Sequence, residues 1–172
     1  MSRAFVNEDN QEEAPIIPPR APLPPGTSNY VTTKGLILLQ KERENLLSEI
    51  EDIHSIEDGK DKRYKMQLAK GKLALLEERI SSSRLLEISD NEKGEVRFGA
   101  KVTLLFKKEN REQTFQIVGV DEANVKEQKI AFTAPIAKAI TGKKINEEAI
   151  LQLGKEPREM IIKAISYEIS ES

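Results

Sequence analysis

TKGLILLQKERENLLSEIEDIHSIEDGKDKRYKMQLAKGKLALLEERI, residues 33–80, is the stretch whose periodicity decides the fold. From Thr33 to about Ile56 the apolar residues Leu36, Leu39, Leu46, Leu47, Ile50 and Ile53 fall at helical steps of three, four and seven. Thr32 or Thr33 can cap the start, because a hydroxyl accepts from the free N–H groups of a first turn. After a break at Asp58-Gly59, residues 61–88 repeat the pattern, with Met66, Ala69, Leu73, Leu76 and Ile80 alternating by three and four. Two amphipathic helices with so short a turn are expected to fold back as an antiparallel coiled-coil hairpin with arms roughly 35–42 Å long.

The charges agree with this pairing. Residues 49–58 carry Glu49, Glu51, Asp52, Glu57 and Asp58 with no base, whereas 60–72 carry Lys60, Lys62, Arg63, Lys65, Lys70 and Lys72 against Asp61 alone. Antiparallel arms set the two runs opposite each other. Ion pairing across a solvated face, worth little per pair, is the preferred reading of these runs; the alternative is that the basic run attracts a phosphate backbone or an acidic protein surface.

Upstream, six of the eight prolines lie between Ala14 and Gly26, and proline fixes φ and removes a backbone donor. Residues 1–29 are expected to form an extended or disordered arm, a passive linker or a ligand for an SH3-like groove. The hairpin is expected to occupy 30–93, and from Gly94 the texture changes. VRFGAKVTLLF (96–106), QTFQIVGV (113–120), KIAFT (129–133), EAILQL (148–153) and EMIIKAISYEI (159–169) read as strands, and Pro135 to Gly142 as a short helix. Residues 94–172 are therefore a small α+β domain with a core on Phe98, Val102, Phe115, Ile117, Ile130, Phe132, Ile136, Ile140, Ile161 and Ile165.

Composition bounds the chemistry. At 172 residues the chain holds one domain or two small ones, and a formal net charge of −2 gives no overall basic field for nucleic acid. With no cysteine and only His54, disulfides, thiolate nucleophiles, Cys/His zinc sites and histidine triads are excluded, leaving carboxylates as metal ligands. No apolar run approaches the ~18 residues of a membrane span, so a cytoplasmic protein without membrane contact is expected.

YVTTKGL (30–36), VRFGAKV (96–102), QIVGVDEA (116–123), APIAKAITGK (134–143) and AISY (164–167) occur in order. On these strings the chain resembles the bacterial Gre transcript-cleavage factors, the GreA/GreB family, over nearly all of Asn29 to Ile169; the proline-rich arm lies outside the pattern. The resemblance implies a coiled-coil hairpin followed by an FKBP-like antiparallel-sheet domain. It further implies a monomeric transcription elongation factor that docks on bacterial RNA polymerase, with Gly119, Asp121, Glu122, Pro135 and Ile136 as docking residues. The hairpin would enter the secondary channel, meet nascent RNA and DNA only inside the transcription complex, and stimulate the polymerase's own cleavage of backtracked RNA without being an enzyme itself.

The family's tip reads DxxENAEY, and here the matching stretch is DGKDKRY (58–64). Asp58 and Asp61 keep the acid spacing, which implies assistance to catalysis in trans and a magnesium ion shared with the polymerase, no cofactor being bound permanently. Lys60, Lys62, Arg63 and Tyr64 would lie near the RNA, Tyr64 packing or orienting the tip. The segment is one residue short, with Lys62 and Arg63 where the family has Asn, Ala and Glu; if Tyr64 sets the register, Glu57 and Lys60 take the acid positions and Lys60 cannot bind a metal. Both arms also look about one heptad short, ~10 Å less reach.

Magnesium takes six oxygen ligands, so two carboxylates on an exposed turn bind it weakly and need donors from elsewhere. Asp58-Gly59 also reads as plain turn chemistry, with glycine supplying positive φ, and Gly99 and Gly119 as bulges or tight strand exits. His54 falls near the tip with no proton-transfer partner to name. Three further readings remain: a secondary-channel regulator without cleavage, favoured by the short arms and basic tip; a peptidyl-prolyl isomerase, suggested by fold alone; and a coiled-coil scaffold.

Overall fold

The computed structural model describes residues 12–168. The first eleven residues of the expected arm and the last four of the chain, Ile169 among them, lie outside the described residues. The chain forms two compact units, one combining residues up to 20 with Leu39–Ser81, the other Ala21–Leu38 with the residues from Ser82 onward.

The first unit contains helix α1 (Thr33–His54) from Leu39 on and helix α2 (Lys60–Ser82) up to Ser81; the helices have 22 and 23 residues, about 33 and 35 Å. The seam is a heptad pattern: Leu39, Leu46 and Ile53 are buried on α1, and Ala69 and Leu76 on α2. Leu47, expected in the stripe, is exposed, because one residue past Leu46 turns it about 100° off the seam. Arg43, between Leu39 and Leu46 in the heptad pattern, is exposed and pairs with Glu77 of α2, consistent with the antiparallel register of the buried seam. Helix α2 ends at Ser82 and not at 88. Its last turn runs into Ser81, Ser82 and Ser83, and Ser81 Oγ donates back to the Glu78 carbonyl at 3.3 Å, the local bonding by which serine competes with helix.

Residues 12–20 form no helix or strand, and they are bonded to the hairpin helices. Arg20 makes a bidentate pair with Glu42 of α1, its two nitrogens 2.8 and 3.0 Å from the carboxylate oxygens. Glu12 pairs with Arg63, and Ile17 sits over Gly71 of α2.

In the second unit, strand β1 (Asn29–Val31) pairs in parallel with β2 (Ser83–Leu85), a two-stranded sheet that the sequence reading missed. The main sheet contains β3 (Lys101–Phe106), β4 (Arg111–Val118), β5 (Lys129–Ala131), β6 (Glu148–Leu153) and β7 (Glu156–Ser166), ordered β5-β4-β3-β7-β6. Every pair is antiparallel except β4 with β5, so the sheet is mixed where a purely antiparallel one was expected. Helix α3 (Pro135–Ile140) opens on its proline and is followed by Gly142 at φ +85°.

The core gathers Val96, Phe98, Val102, Leu104, Phe106, Ile117, Ile140, Met160 and Ile162, with Phe115, Ile130, Phe132, Ile136 and Ile165 half-buried against it. Ile161 is displaced from this role. Thr103 faces Ala164 but Leu104 faces Ile162, so β7 carries one extra residue at Lys163. A bulge shifts the alternation by one, and Met160 and Ile162 turn inward.

Candidate functional site at the hairpin apex

Residues Ser55 to Gly59 connect the helices through tight turns, Ser55 N–H to Asp52 O and Ile56 N–H to Ile53 O, both 3.1 Å. Gly59 does not use the left-handed region; among the described residues the glycines with positive φ are Gly26, Gly99, Gly142 and Gly154. Gly59 serves instead as the cap before α2, its carbonyl accepting from Arg63 N–H at 3.1 Å.

Asp58 and Asp61 both reach solvent, with side chains 93% and 75% exposed. Neither is left bare. Lys62 Nζ lies 3.0 Å from Asp58 Oδ1, and Lys65 Nζ lies 3.0 Å from Asp61 Oδ2, each one helical turn on. The Lys62 hydrogen bond, with its charge, holds the Asp58 carboxyl below its ordinary pKa of 3.8. Lys62 also donates to the His54 carbonyl at 3.1 Å, closing one of the free carbonyls that end α1. The lysine in the middle of DGKDKRY thus ties the two helices at their apex.

Arg63 is engaged too: its Nε donates to both carboxylate oxygens of Glu12, at 2.9 and 3.0 Å. Lys60 and Tyr64 are exposed. Between 57 and 65 stand three acids, Glu57, Asp58 and Asp61, against Lys60, Lys62, Arg63 and Lys65. Among the described residues no group of three or more carboxylate, histidine or cysteine side chains converges to hold a metal. This donor set does not fit a resident ion. It offers two carboxylates, each already paired with an ammonium one helical turn on, and, among the described residues, no third donor converging with them.

The five expected docking residues have separate fates. Pro135 is exposed, while Asp121 and Ile136 are half-buried. Gly119 packs against the chain itself, since a Cβ there would lie 2.5 Å from the Tyr30 carbonyl oxygen. Glu122 is withdrawn from any docking surface, its side chain 3% exposed and 3.6 Å from Lys129 Nζ.

Around Glu122 the domain builds a joint to the first turn of α1. The Thr32 hydroxyl donates to Glu122 and accepts from Gly35 N–H at 2.9 Å, so Thr32, not Thr33, is the cap. A Cβ on Gly35 would meet Glu122 Oε1 at 2.8 Å, which is why glycine follows Thr33-Lys34. Burial works to lower the Lys129 pKa, but the charges of Glu122 and, at 3.5 Å, Glu127 outweigh it and leave the amine above its ordinary 10.5. Sequence reading missed this pair; an acid seven residues before the first residue of strand β5 gives no sign of its partner.

Tyr30, Phe98 and Phe132 pack together with ring centroids 5.6 to 6.0 Å apart, Phe132 edge to face with both others and Tyr30 tilted against Phe98. Their faces are spent on one another.

Comparison with known proteins fits this arrangement. Residues 91–167 match the family described as "Transcription elongation factor, GreA/GreB, C-term". The chain is similar to the transcription elongation factor GreA of Hyphomonas neptunium, 33% identical over 119 residues, spanning 66% of this chain and 76% of the relative. The chain belongs to the GreA/GreB family. Identity to the GreA of Vibrio vulnificus is 28% over 151 residues, covering 80% of this chain and 96% of that protein. Among solved structures, GreA factor homolog 1 (Gfh1) of Thermus thermophilus is 23% identical, covers 81% of this chain and 99% of its own, and superposes with a TM-score of 0.38. In this GreA/GreB member the tip acids and their lysines distinguish the apex from a plain acidic turn.

Proposed function

We propose that this GreA/GreB protein binds bacterial RNA polymerase in the cytoplasm, places its hairpin in the secondary channel, and modulates elongation without delivering a catalytic metal ion. The observation that carries the reading is the pairing of Asp58 with Lys62 and Asp61 with Lys65. A dication approaching the apex would have to displace two ammonium groups and face the exposed Lys60 besides, whereas a phosphate backbone could take over lysines whose carboxylate partners are exposed. The protein itself is not an enzyme on this reading, and it acts as a monomer.

One observation favours stimulated cleavage as a second reading. Asp58 and Asp61 are open to solvent, and exposed ion pairs of this type are weak enough to exchange. In that case the two carboxylates would contribute to a magnesium ion shared with polymerase ligands and RNA, none being held by the protein alone. The experiment common to both readings is elongation by the cognate polymerase on a uniform template with added protein. Co-purification and a concentration-dependent change in elongation rate are expected; failure to bind polymerase would remove both.

A further inference from the structure

Helix α2 carries a glycine in its interior, Gly71, where alanine would favour the helix by about 1 kcal/mol. The space it leaves is filled. A Cβ on Gly71 would lie 2.3 Å from Ile17 Cδ1 and 2.7 Å from Ile17 Cγ1, so Ile17 occupies a notch that only glycine can offer. Either side of this notch the arm is held by ion pairs, Glu12 to Arg63 near the apex and Arg20 to Glu42 lower down.

The spacing is consistent with an extended segment laid along a helix. Glu12 to Ile17 is five residues, roughly 15 Å at the ~3.1 Å rise of a polyproline-like chain, and Arg63 to Gly71 is eight residues, roughly 12 Å of helix. Arg20 remains largely buried in its contact, 17% exposed, and the guanidinium of Arg63 is bonded through both Nε and Nη2.

We propose that residues 12–20 are a strap docked on the hairpin, in which Glu12 occupies Arg63 in place of a phosphate, so that strap docking and binding of single-stranded RNA at the apex exclude each other. The suggested RNA contact rests on the proposed function. The strap itself rests on the notch and its two ion pairs. Glu12 accepts from the guanidinium through two of its nitrogens, Nε and Nη2, as the oxygens of a phosphodiester would. Ile17 provides an apolar hold that salt does not weaken, while the Glu12 contact is exposed and exchangeable.

The test uses the full chain, whose native sequence has no cysteine to interfere. Ile17 Cβ is one bond of about 1.5 Å from Cγ1, so it stands no more than about 4.2 Å from the Cβ built on Gly71, within disulfide reach. The double variant Ile17→Cys/Gly71→Cys should oxidise to an intramolecular crosslink, seen by mass spectrometry without any RNA or polymerase. Anisotropy of a fluorescent single-stranded oligoribonucleotide at low ionic strength should then show binding at least threefold weaker for the oxidised protein than for the reduced. Glu12→Gln should bind at least threefold tighter than wild type, and the gain should vanish in Glu12→Gln/Arg63→Gln. Absence of the crosslink would show that the strap does not dock. A crosslink with unchanged RNA affinity would overturn the exclusion and leave a static brace. Neither result depends on polymerase binding, so failure of the proposed function would be visible separately.

Discussion

Lys62 Nζ stands 3.0 Å from Asp58 Oδ1 and 3.1 Å from the carbonyl oxygen of His54, so one ammonium both neutralises a tip acid and closes the end of α1. Replacing it separates the two roles. In Lys62→Met the Asp58 carboxyl should titrate at higher pH than in the wild type, returning toward 3.8, because its hydrogen bond and nearest positive charge are gone. Carboxyl carbon shifts followed by NMR between pH 2 and 6 would record this, and an unmoved Asp58 would show that the pair is absent in solution.

The Glu122–Lys129 pair is buried, and removing Glu122 leaves Lys129 with the exposed Glu127 as its remaining carboxylate. Glu122→Gln should destabilise the second unit by about 3 kcal/mol, whereas Glu122→Leu/Lys129→Met should cost much less, since no uncompensated charge remains. Urea unfolding monitored by circular dichroism measures both.

The same pair has a pH signature. The folded-state pKa of Lys129 is raised, so its contribution is complete below the ordinary value of 10.5 and is lost as pH rises through the folded value. The melting temperature advantage of wild type over Lys129→Met should therefore be constant from pH 7 to 9 and shrink above about pH 10.5. A gap that stays constant well above pH 10.5 would mean that folding leaves the amine's pKa at its ordinary value.

Gly119→Ala should be more damaging than an alanine at an ordinary strand exit, because the added carbon meets the Tyr30 carbonyl at 2.5 Å and that backbone is held in β1. A loss of about 2 kcal/mol is expected from overpacking, against a negligible change for Gly94→Ala, where nothing lies within 4 Å.

The heptad seam was legible because Leu39, Leu46 and Ile53 are spaced by the geometry of the helix they form. Strand β6 was legible to the residue, since EAILQL alternates between turn signals. What escaped depends on contacts distant in sequence. The inward turn of Ile162 follows from a bulge against β3 that the local pattern of EMIIKAIS does not encode. The parallel pairing of β1 with β2 joins segments more than fifty residues apart through three residues each, too short to read as strands. At the apex, the DGKDKRY spacing located Asp58 and Asp61 but not their neutralisation, although lysines four residues after each acid were in view. The strap was hidden for a different reason: a glycine within a helix and an isoleucine among prolines carry no mark of belonging together.

The most direct measurement is transcript length on a stalled, backtracked complex of the cognate polymerase, with magnesium and saturating protein. The account predicts bound protein, RNA of unchanged length, and no difference on substituting Asp58→Asn or Asp61→Asn. Shortened RNA with the wild type, lost in those two variants while polymerase binding persists, would contradict it and establish that the paired carboxylates exchange their lysines for a metal.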